Sequence, residues 1–190
     1  MRLSICCCFL LVTTGWGAQV LQQLLPPGHP CTEFSYRQHL DINTVQGTWY
    51  VLVIICSSWN RVPLCDKVEL HGNSTLLHET WTSLDLLSDP HYRHGAVYST
   101  DLAVVEPGCW KDLRPERAHP VTLVLDADEL LVLAQCYQGD YATPYHDHEV
   151  FILGRNTKGH LLDQTLSKLA ANGLDTRQAQ VLQWSMCPNH

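Results

Sequence analysis

The chain has 190 residues, of which 45% are apolar and 16% are charged. This composition is typical of one globular domain with a buried core, and it excludes a disordered polar segment. Twelve basic residues against nineteen acidic ones give a formal net charge of −7, and no basic run is present, so no nucleic-acid partner is expected.

The N-terminus has the three parts of a secretory signal peptide. A basic residue precedes an apolar stretch, Leu3 to Val12, and Gly15 and Gly17 supply the small residues that a signal peptidase reads. This stretch is shorter than the roughly 18 residues that a membrane anchor needs. We therefore predict cleavage after Gly17, which removes residues 1–17 and leaves a secreted, extracellular domain without a membrane span.

The predicted mature domain, residues 18–190, keeps six cysteines. An even number of cysteines in a secreted chain indicates disulfides, and six cysteines allow 15 pairings. No two of them have the C-x-x-C spacing of a structural zinc site, and we predict no metal and no cofactor. The six are Cys31, Cys56, Cys65, Cys109, Cys136 and Cys187.

Eight strand-like runs follow a proline-rich coil and are bounded by turn residues. They span residues 48–55, 65–71, 74–84, 92–105, 109–113, 121–125, 130–137 and 150–153. One helix follows, with Leu162, Leu166 and Leu169 on one face and a stop at Asn172-Gly173. One helix after eight strands excludes alternating βαβ units, so the pattern predicts an antiparallel sandwich or barrel in one domain.

The triplet Asn73-Ser74-Thr75 is an acceptor for N-linked glycosylation. Gly72-Asn73 has the composition of a hairpin turn, which would expose the side chain. We therefore predict a glycan on Asn73.

Two motifs stand at the ends of the strand region. Gly47-Thr48-Trp49-Tyr50 opens the first strand, and Phe151-Ile152-Leu153-Gly154-Arg155-Asn156 ends the last one. Together they resemble the first and third signature motifs of the lipocalins, most closely those of the apolipoprotein D and bilin-binding group. The resemblance covers the whole mature chain and implies an all-β fold, an eight-stranded antiparallel up-and-down barrel with one C-terminal α-helix packed outside.

The resemblance also implies a structural role for three residues. Gly47 would allow a backbone conformation that a side chain forbids, Trp49 would plug the closed end, and Arg155 would stack over the indole. We expect these residues to close the barrel and not to contact a ligand.

The second signature motif departs from the family pattern. Where the family usually has Thr-Asp-Tyr, this chain has Leu125-Asp126-Ala127, which keeps only the acid. The change weakens the expectation that a cell-surface receptor recognises the closed end.

Two disulfides are implied by the resemblance, Cys31–Cys136 and Cys65–Cys187. By count the remaining Cys56 and Cys109 would pair with each other. Cys56 falls near the open end of the barrel and Cys109 near the closed end, whereas bonded cysteines have Cα atoms within about 7 Å. We expect a third intramolecular bridge, with free or intermolecular cysteines as the alternative.

An eight-stranded barrel has room inside for one small ligand. Alternation along the strands, started from Trp49 and Arg155, predicts an inner lining that is almost entirely aliphatic. The predicted lining residues are Val51, Val53, Ile55, Val121, Leu123, Leu125, Leu131, Leu133, Phe151 and Leu153. Such a lining favours a small hydrophobic ligand. The resemblance implies a carrier that transports or sequesters a lipid, retinoid, sterol or bilin-like molecule.

The loops predicted at the open end carry aromatic residues and histidines. Trp59, Tyr141 and Tyr145 lie there. Five histidines fall in or beside these loops, His91, His94, His119, His146 and His148. The histidines are interpreted as solvated loop residues, with a pH gate or a metal or haem site as alternatives.

Two other classes of function compete with a carrier. A few lipocalins are isomerases with a reactive thiol in the cavity, for which Cys56 or Cys109 would serve. The chain has no catalytic triad, metalloprotease or cofactor-loop signature, so we predict no enzyme and no catalytic residues. A protein-binding module that uses the open-end loops around a filled barrel is the second alternative.

Overall fold

The computed structural model describes residues 16–56, 65–83, 97–114, 121–138 and 148–187. Within these ranges the helices are α1 (Trp16–Leu24), α2 (Ile42–Val45) and α3 (Leu162–Ala171). The strands are β1 (Gly47–Cys56), β2 (Asp66–Gly72), β3 (Leu76–Ser83), β4 (Val97–Glu106), β5 (Cys109–Asp112), β6 (Val121–Ala127), β7 (Leu131–Cys136), β8 (His148–Gly154) and β9 (Ala179–Val181).

The strands form one antiparallel sheet that closes on itself. Neighbours follow the order β2-β3-β4-β5-β6-β7-β8-β1, and the first residues of β1, Gly47 to Tyr50, also pair with β2. Strands β1 to β8 therefore make an up-and-down barrel, which confirms the predicted fold class. The short strand β9 lies outside this circuit and pairs with β1 at Val53, Ile54 and Ile55.

Extra residues interrupt three strand pairings. The register shifts at Leu52 between β1 and β8, at Val105 between β4 and β5, and at Leu125 between β6 and β7. A bulge of this kind adds one residue to one strand, so side chains beyond it exchange faces relative to simple alternation. The bulges therefore decide which residues point into the barrel.

The predicted strands and helix coincide with observed elements. Helix α3 ends at Ala171 and is followed by Asn172 and Gly173. Gly173 has a φ of +90°, the left-handed conformation expected of a C-terminal stop. The part of the predicted fourth strand before Val97 lies outside the described residues. Helices α1 and α2 and strand β9 were not predicted. Helix α2 has four residues and β9 has three, which are too few to show a periodic pattern.

The segment between α1 and α2 crosses the outside of β5 and β6. The backbone N–H of Arg37 donates to the carbonyl of Val124 at 2.8 Å. Gly108 lies so close to this segment that a Cβ added to it would be 2.3 Å from the Arg37 carbonyl oxygen. The outer face of this part of the barrel is thus buried, like its inner face.

Two disulfides fix the ends of the chain to the barrel, as predicted. Cys31–Cys136 joins the N-terminal segment to β7, and Cys65–Cys187 joins the C-terminal segment to the residue before β2. Both bonds close long loops, with sequence separations of 105 and 122 residues.

The expected third bridge between Cys56 and Cys109 is wrong. Cys56 is opposite Glu149 at the last position of β1, and Cys109 is opposite Leu123 at the first position of β5. These positions lie at opposite ends of the barrel and on opposite faces of its wall, and the two cysteines are not bonded to each other.

Removing the Cys31–Cys136 bridge in a Cys31→Ala/Cys136→Ala variant should lower the free energy of unfolding by about 4–5 kcal/mol, because the bridge closes a loop of roughly a hundred residues. Urea unfolding followed by tryptophan fluorescence measures the loss. The single variant Cys109→Ala removes a cysteine without a bridge and is expected to cost less than about 2 kcal/mol. A double variant that loses less than the single one would contradict this prediction.

Candidate functional site

The inner face of the barrel is identified by a contact across it. The rings of Trp81 on β3 and Phe151 on β8 lie 4.9 Å apart, although β1 and β2 separate these strands in the wall. Both side chains therefore point inward. Because residues directly opposite each other in antiparallel strands share a face, the pairings extend this assignment to the other strands.

Half of the predicted cavity lining is on this inner face. Val51 is opposite Leu153, Leu133 is opposite Phe151, and Leu131 is also opposite Leu153. These five side chains are buried and belong to the apolar part of the interior.

The other half of the predicted lining is wrong. Val53 is opposite Ile152, and Ile55 is opposite Val150. Ile152 and Val150 flank the inward-facing Phe151 on β8, so they face outward, and their partners on β1 face outward with them. The bulge at Leu52 caused the error, because Ile54 and not Val53 follows Val51 on the inner face.

The predicted lining of β6 is also wrong. Leu133 is opposite Val124, which places Val124 and Thr122 inside and Val121 and Leu123 outside. Leu125 is at a bulge and lines an outer groove of about 370 Å³ beside α3. Both faces of β6 are covered, so hydrophobicity could not tell the inner face from the outer one.

Polar residues occupy the inner face of the barrel near its open end. On each of the eight strands, the inward residue nearest the loops of the open end is polar, aromatic with a hydroxyl, or cysteine. We call this set the mouth ring: Cys56, Asp66, Ser83, Tyr98, Asp112, Thr122, Gln135 and Glu149. The expectation of an almost entirely aliphatic lining is therefore wrong.

Two hydrogen-bonded groups lie within the ring. Thr100 Oγ1 donates to Asp112 Oδ1 at 2.9 Å and accepts from Arg114 Nε at 3.0 Å. On the other side, the Tyr137 hydroxyl donates to Glu149 Oε2 at 2.6 Å. These bonds orient two of the ring's carboxylates.

Three polar atoms of uncharged side chains on the inner face have no hydrogen-bond partner among the described residues, and Arg114 Nη2 beside Thr100 also has none. They are Trp81 Nε1, Thr122 Oγ1 and Gln135 Nε2. Their side chains are at most 6% exposed. Most buried polar groups in proteins are hydrogen-bonded, so three in one interior indicate a place for a polar group from outside the chain.

Apart from Glu79 and Thr100, which are opposite each other, the described interior below the ring is apolar and aromatic. Val68, Leu70 and Leu102 are fully buried, and so is Trp110, whose indole N–H donates to the carbonyl of Pro107. The interior of the barrel is thus amphipathic, with hydrogen-bonding residues near the open end and mostly apolar residues below them.

The closed end is held by Gly47, Trp49 and Arg155. The Arg155 guanidinium carbon lies 3.6 Å from the Trp49 ring centroid, and Trp49 Nε1 donates to the Val45 carbonyl at 2.7 Å. Arg155 also donates to the carbonyls of Thr44 and Thr48. Gly47 has a φ of +96° and lies against the guanidinium, which favours glycine there.

Outside the closed end, Asp126 joins three parts of the chain. It accepts from Arg37 Nη2 of the N-terminal segment at 2.6 Å and from Lys168 Nζ of α3. Burial acts to raise the pKa of Asp126, but the hydrogen bonds from Arg37 and Lys168 outweigh it and lower the pKa. The acid retained in the second motif therefore anchors α3 and the N-terminal segment to β6.

Cys109 is not a nucleophile of the cavity. It faces outward, and burial together with the nearby Glu106 raises the pKa of its thiol to about 12. A thiol of this kind stays protonated and unreactive at neutral pH. Cys56, the other candidate, is on the inner face in the mouth ring.

Most of the predicted open-end features lie outside the described residues. They include Trp59, Tyr141, Tyr145, His91, His94, His119 and His146. His148 is described, and its ring packs edge-on against Phe34 at 5.0 Å on the outer face, away from the cavity.

The described ranges lack two other features. They contain no group of three or more His, Cys, Asp or Glu side chains placed to hold a metal ion. No helix within them has the length and apolarity to cross a membrane.

Solved structures with the same architecture were found by structural comparison. Apocrustacyanin C2 is 20% identical, with a TM-score of 0.55 over 80% of this chain and 84% of its own. The cockroach allergen Per a 4 is 14% identical, with a TM-score of 0.57 over 80% and 94%. The siderocalin Ex-FABP is 17% identical, with a TM-score of 0.53 over 73% and 89%.

All three neighbours are lipocalins. This chain has the lipocalin fold. The resemblance inferred from the two sequence motifs is thus confirmed at the level of the fold. Neither the protein-family models nor the curated proteins gave a match to this chain.

An Asp126→Asn variant should unfold more easily at neutral pH, by about 1–3 kcal/mol, because it removes a charged acceptor of two hydrogen bonds. The pKa of Asp126 is lower in the folded chain than in the unfolded one, where it is about 3.9. Its stabilisation is therefore present above about pH 4 and is lost as the pH falls through the folded value.

Urea midpoints of the wild type and D126N should accordingly differ at pH 7, and the difference should shrink as the pH falls below about 4 towards the lowered pKa of Asp126. Asp175→Asn is the control, because Asp175 pairs with Arg177 on the surface and exposed ion pairs contribute little. A difference between wild type and D126N that is the same at pH 7 and pH 3 would contradict the assignment.

Proposed function

We propose that this protein is a carrier that takes one small, largely hydrophobic molecule into its barrel for transport or sequestration. The observation that supports this is the amphipathic interior, closed at one end by Trp49 and Arg155 and apolar over most of its depth. Ligand pockets are typically apolar cavities with a few placed polar groups. The siderocalin Ex-FABP, one of the structural neighbours, functions through dual ligand specificities.

We also propose that the protein acts outside the cell. The predicted signal peptide, residues 1–17, and two disulfides with long loops suit an oxidising compartment. The predicted cleavage point after Gly17 lies in the first turn of α1, and the buried residues Leu21 and Leu25 follow it. Cleavage there would keep the packed part of the N-terminal segment.

The test of the carrier is a variant that fills the barrel. Leu133→Trp places a larger ring on the inner face beside Phe151. If the barrel holds a ligand cavity, the variant should lose binding of retinol by at least about tenfold and unfold within about 1 kcal/mol of the wild type. Leu76→Trp makes the same change on the exposed outer face and should leave binding unchanged.

The opposite outcome identifies a filled barrel. Leu133→Trp would then destabilise the chain by about 1–3 kcal/mol through overpacking. Wild-type protein from secreting cells would also carry no apolar molecule in native mass spectrometry. Those two results together would overturn the carrier and favour a protein-binding role of the open-end loops.

Asn73 should carry a glycan in the secreted protein. It lies in the exposed turn between β2 and β3, where its Oδ1 accepts from the Thr75 hydroxyl at 2.7 Å. Intact mass before and after treatment with peptide N-glycosidase should show loss of one glycan and an N-terminus at Ala18. The Asn73→Gln variant should show no mass change on treatment, and a wild-type protein that behaves like it would contradict the prediction.

A further inference from the structure

We infer that the mouth ring holds an uncharged, oxygen-bearing head group of the ligand, bound by Thr122 and Gln135, and discriminates against a carboxylate head. The inference rests on the proposed carrier function and specifies which ligands it would take. The head would be a hydroxyl, ester or carbonyl group, with the apolar remainder of the ligand lying deeper in the barrel.

The side chains of Thr122 and Gln135 are neighbours on the inner face. Thr122 and Gln135 are directly opposite each other on β6 and β7, a spacing of about 5 Å between Cβ atoms. Trp81 contacts Phe151, which lies two residues along β8 from Glu149, the residue opposite Gln135. One small group between Thr122 and Gln135 would therefore bond both of their polar atoms, and Trp81 lies on the same inner face.

The chemistry of these atoms favours an acceptor. Trp81 Nε1 and Gln135 Nε2 are obligate N–H donors, while the Thr122 hydroxyl both donates and accepts. None of the three has a hydrogen-bond partner in the described part of the chain. The Gln135 N–H group and the Thr122 hydroxyl match a ligand oxygen with lone pairs, and the hydroxyl can also accept from an alcohol.

Thr122 and Gln135 are polar side chains in a buried and mostly apolar interior. Thr122 is 1% exposed and Gln135 is 3% exposed. A buried polar group without a partner destabilises a fold, whereas an apolar side chain of the same shape at that position does not. Retaining the polar groups suits a site whose hydrogen bonds are completed by a ligand.

The neighbouring carboxylate disfavours an anionic head. Glu149 is directly opposite Gln135 and is itself held by the Tyr137 hydroxyl on the same face. An anion on the Gln135 amide would lie beside this carboxylate in a region of low dielectric constant, where like charges repel strongly. Asp66 and Asp112 are two further acids of the ring, against one neighbouring base, Arg114, whose Nε lies 3.8 Å from Asp112 Oδ1.

The test uses ligands that differ only in the head. Retinol and retinoic acid form one pair, and monolauroylglycerol and lauric acid form another. Quenching of tryptophan fluorescence measures binding directly, because Trp49, Trp81 and Trp110 line the barrel. We expect the uncharged member of each pair to bind at least about tenfold more tightly than the acid at pH 7.4.

Three variants assign this preference to the ring. Thr122→Val should weaken retinol binding about fivefold and leave the unfolding midpoint of the ligand-free protein unchanged or raised, because it removes an unpaired buried hydroxyl. Thr82→Val, the same change on the outer face of β3, should alter neither. Glu149→Gln keeps an acceptor for Tyr137 and should raise the affinity for retinoic acid several-fold without raising that for retinol.

The outcomes separate the two proposals. Equal affinity for alcohol and acid, tighter binding of the acids, or a Thr122→Val variant that binds retinol like the wild type would each overturn the head-group site and leave the carrier standing. Binding of none of the four ligands would overturn the carrier and the site with it.

Discussion

The alternation of side chains across a strand makes the whole interior depend on the register of a few pairings. Leu52 adds one residue to β1 opposite β8, and Leu125 adds one to β6 opposite β7. Without these residues, Val53 and Ile55 would point into the barrel. The carbonyl of Leu52 accepts from the backbone N–H of Leu182, so the bulge also positions the C-terminal segment.

The sequence was sufficient to predict the parts of the fold that depend on local chemistry or on paired motifs. The strand positions, the helix with its stop at Gly173 and the two long-range disulfides agree with the structure. The closed end was predictable because Gly47, Trp49 and Arg155 each have a residue-specific role in one contact. Substituting any of them changes a particular geometry.

The composition of the cavity could not be predicted in the same way. The outer faces of β6 and β7 are covered by the N-terminal segment, so their side chains are as buried as those inside. Hydrophobic patterning therefore carries no information about which face is the cavity in these strands. Thr122 and Gln135 looked like interruptions of apolar runs, and only the pairing with Phe151 through Leu133 and Val124 shows that they face the interior.

The mouth ring takes one residue from each of the eight strands, and each lies within two residues of a strand end. The contacts that hold the closed end involve none of these positions. In the proposed carrier, recognition and folding are therefore carried by different residues on the same strands. A change of ligand preference during evolution would need only substitutions at strand ends, without a shift in register or a rebuilt core, so related proteins that carry different molecules are expected to diverge first in this ring.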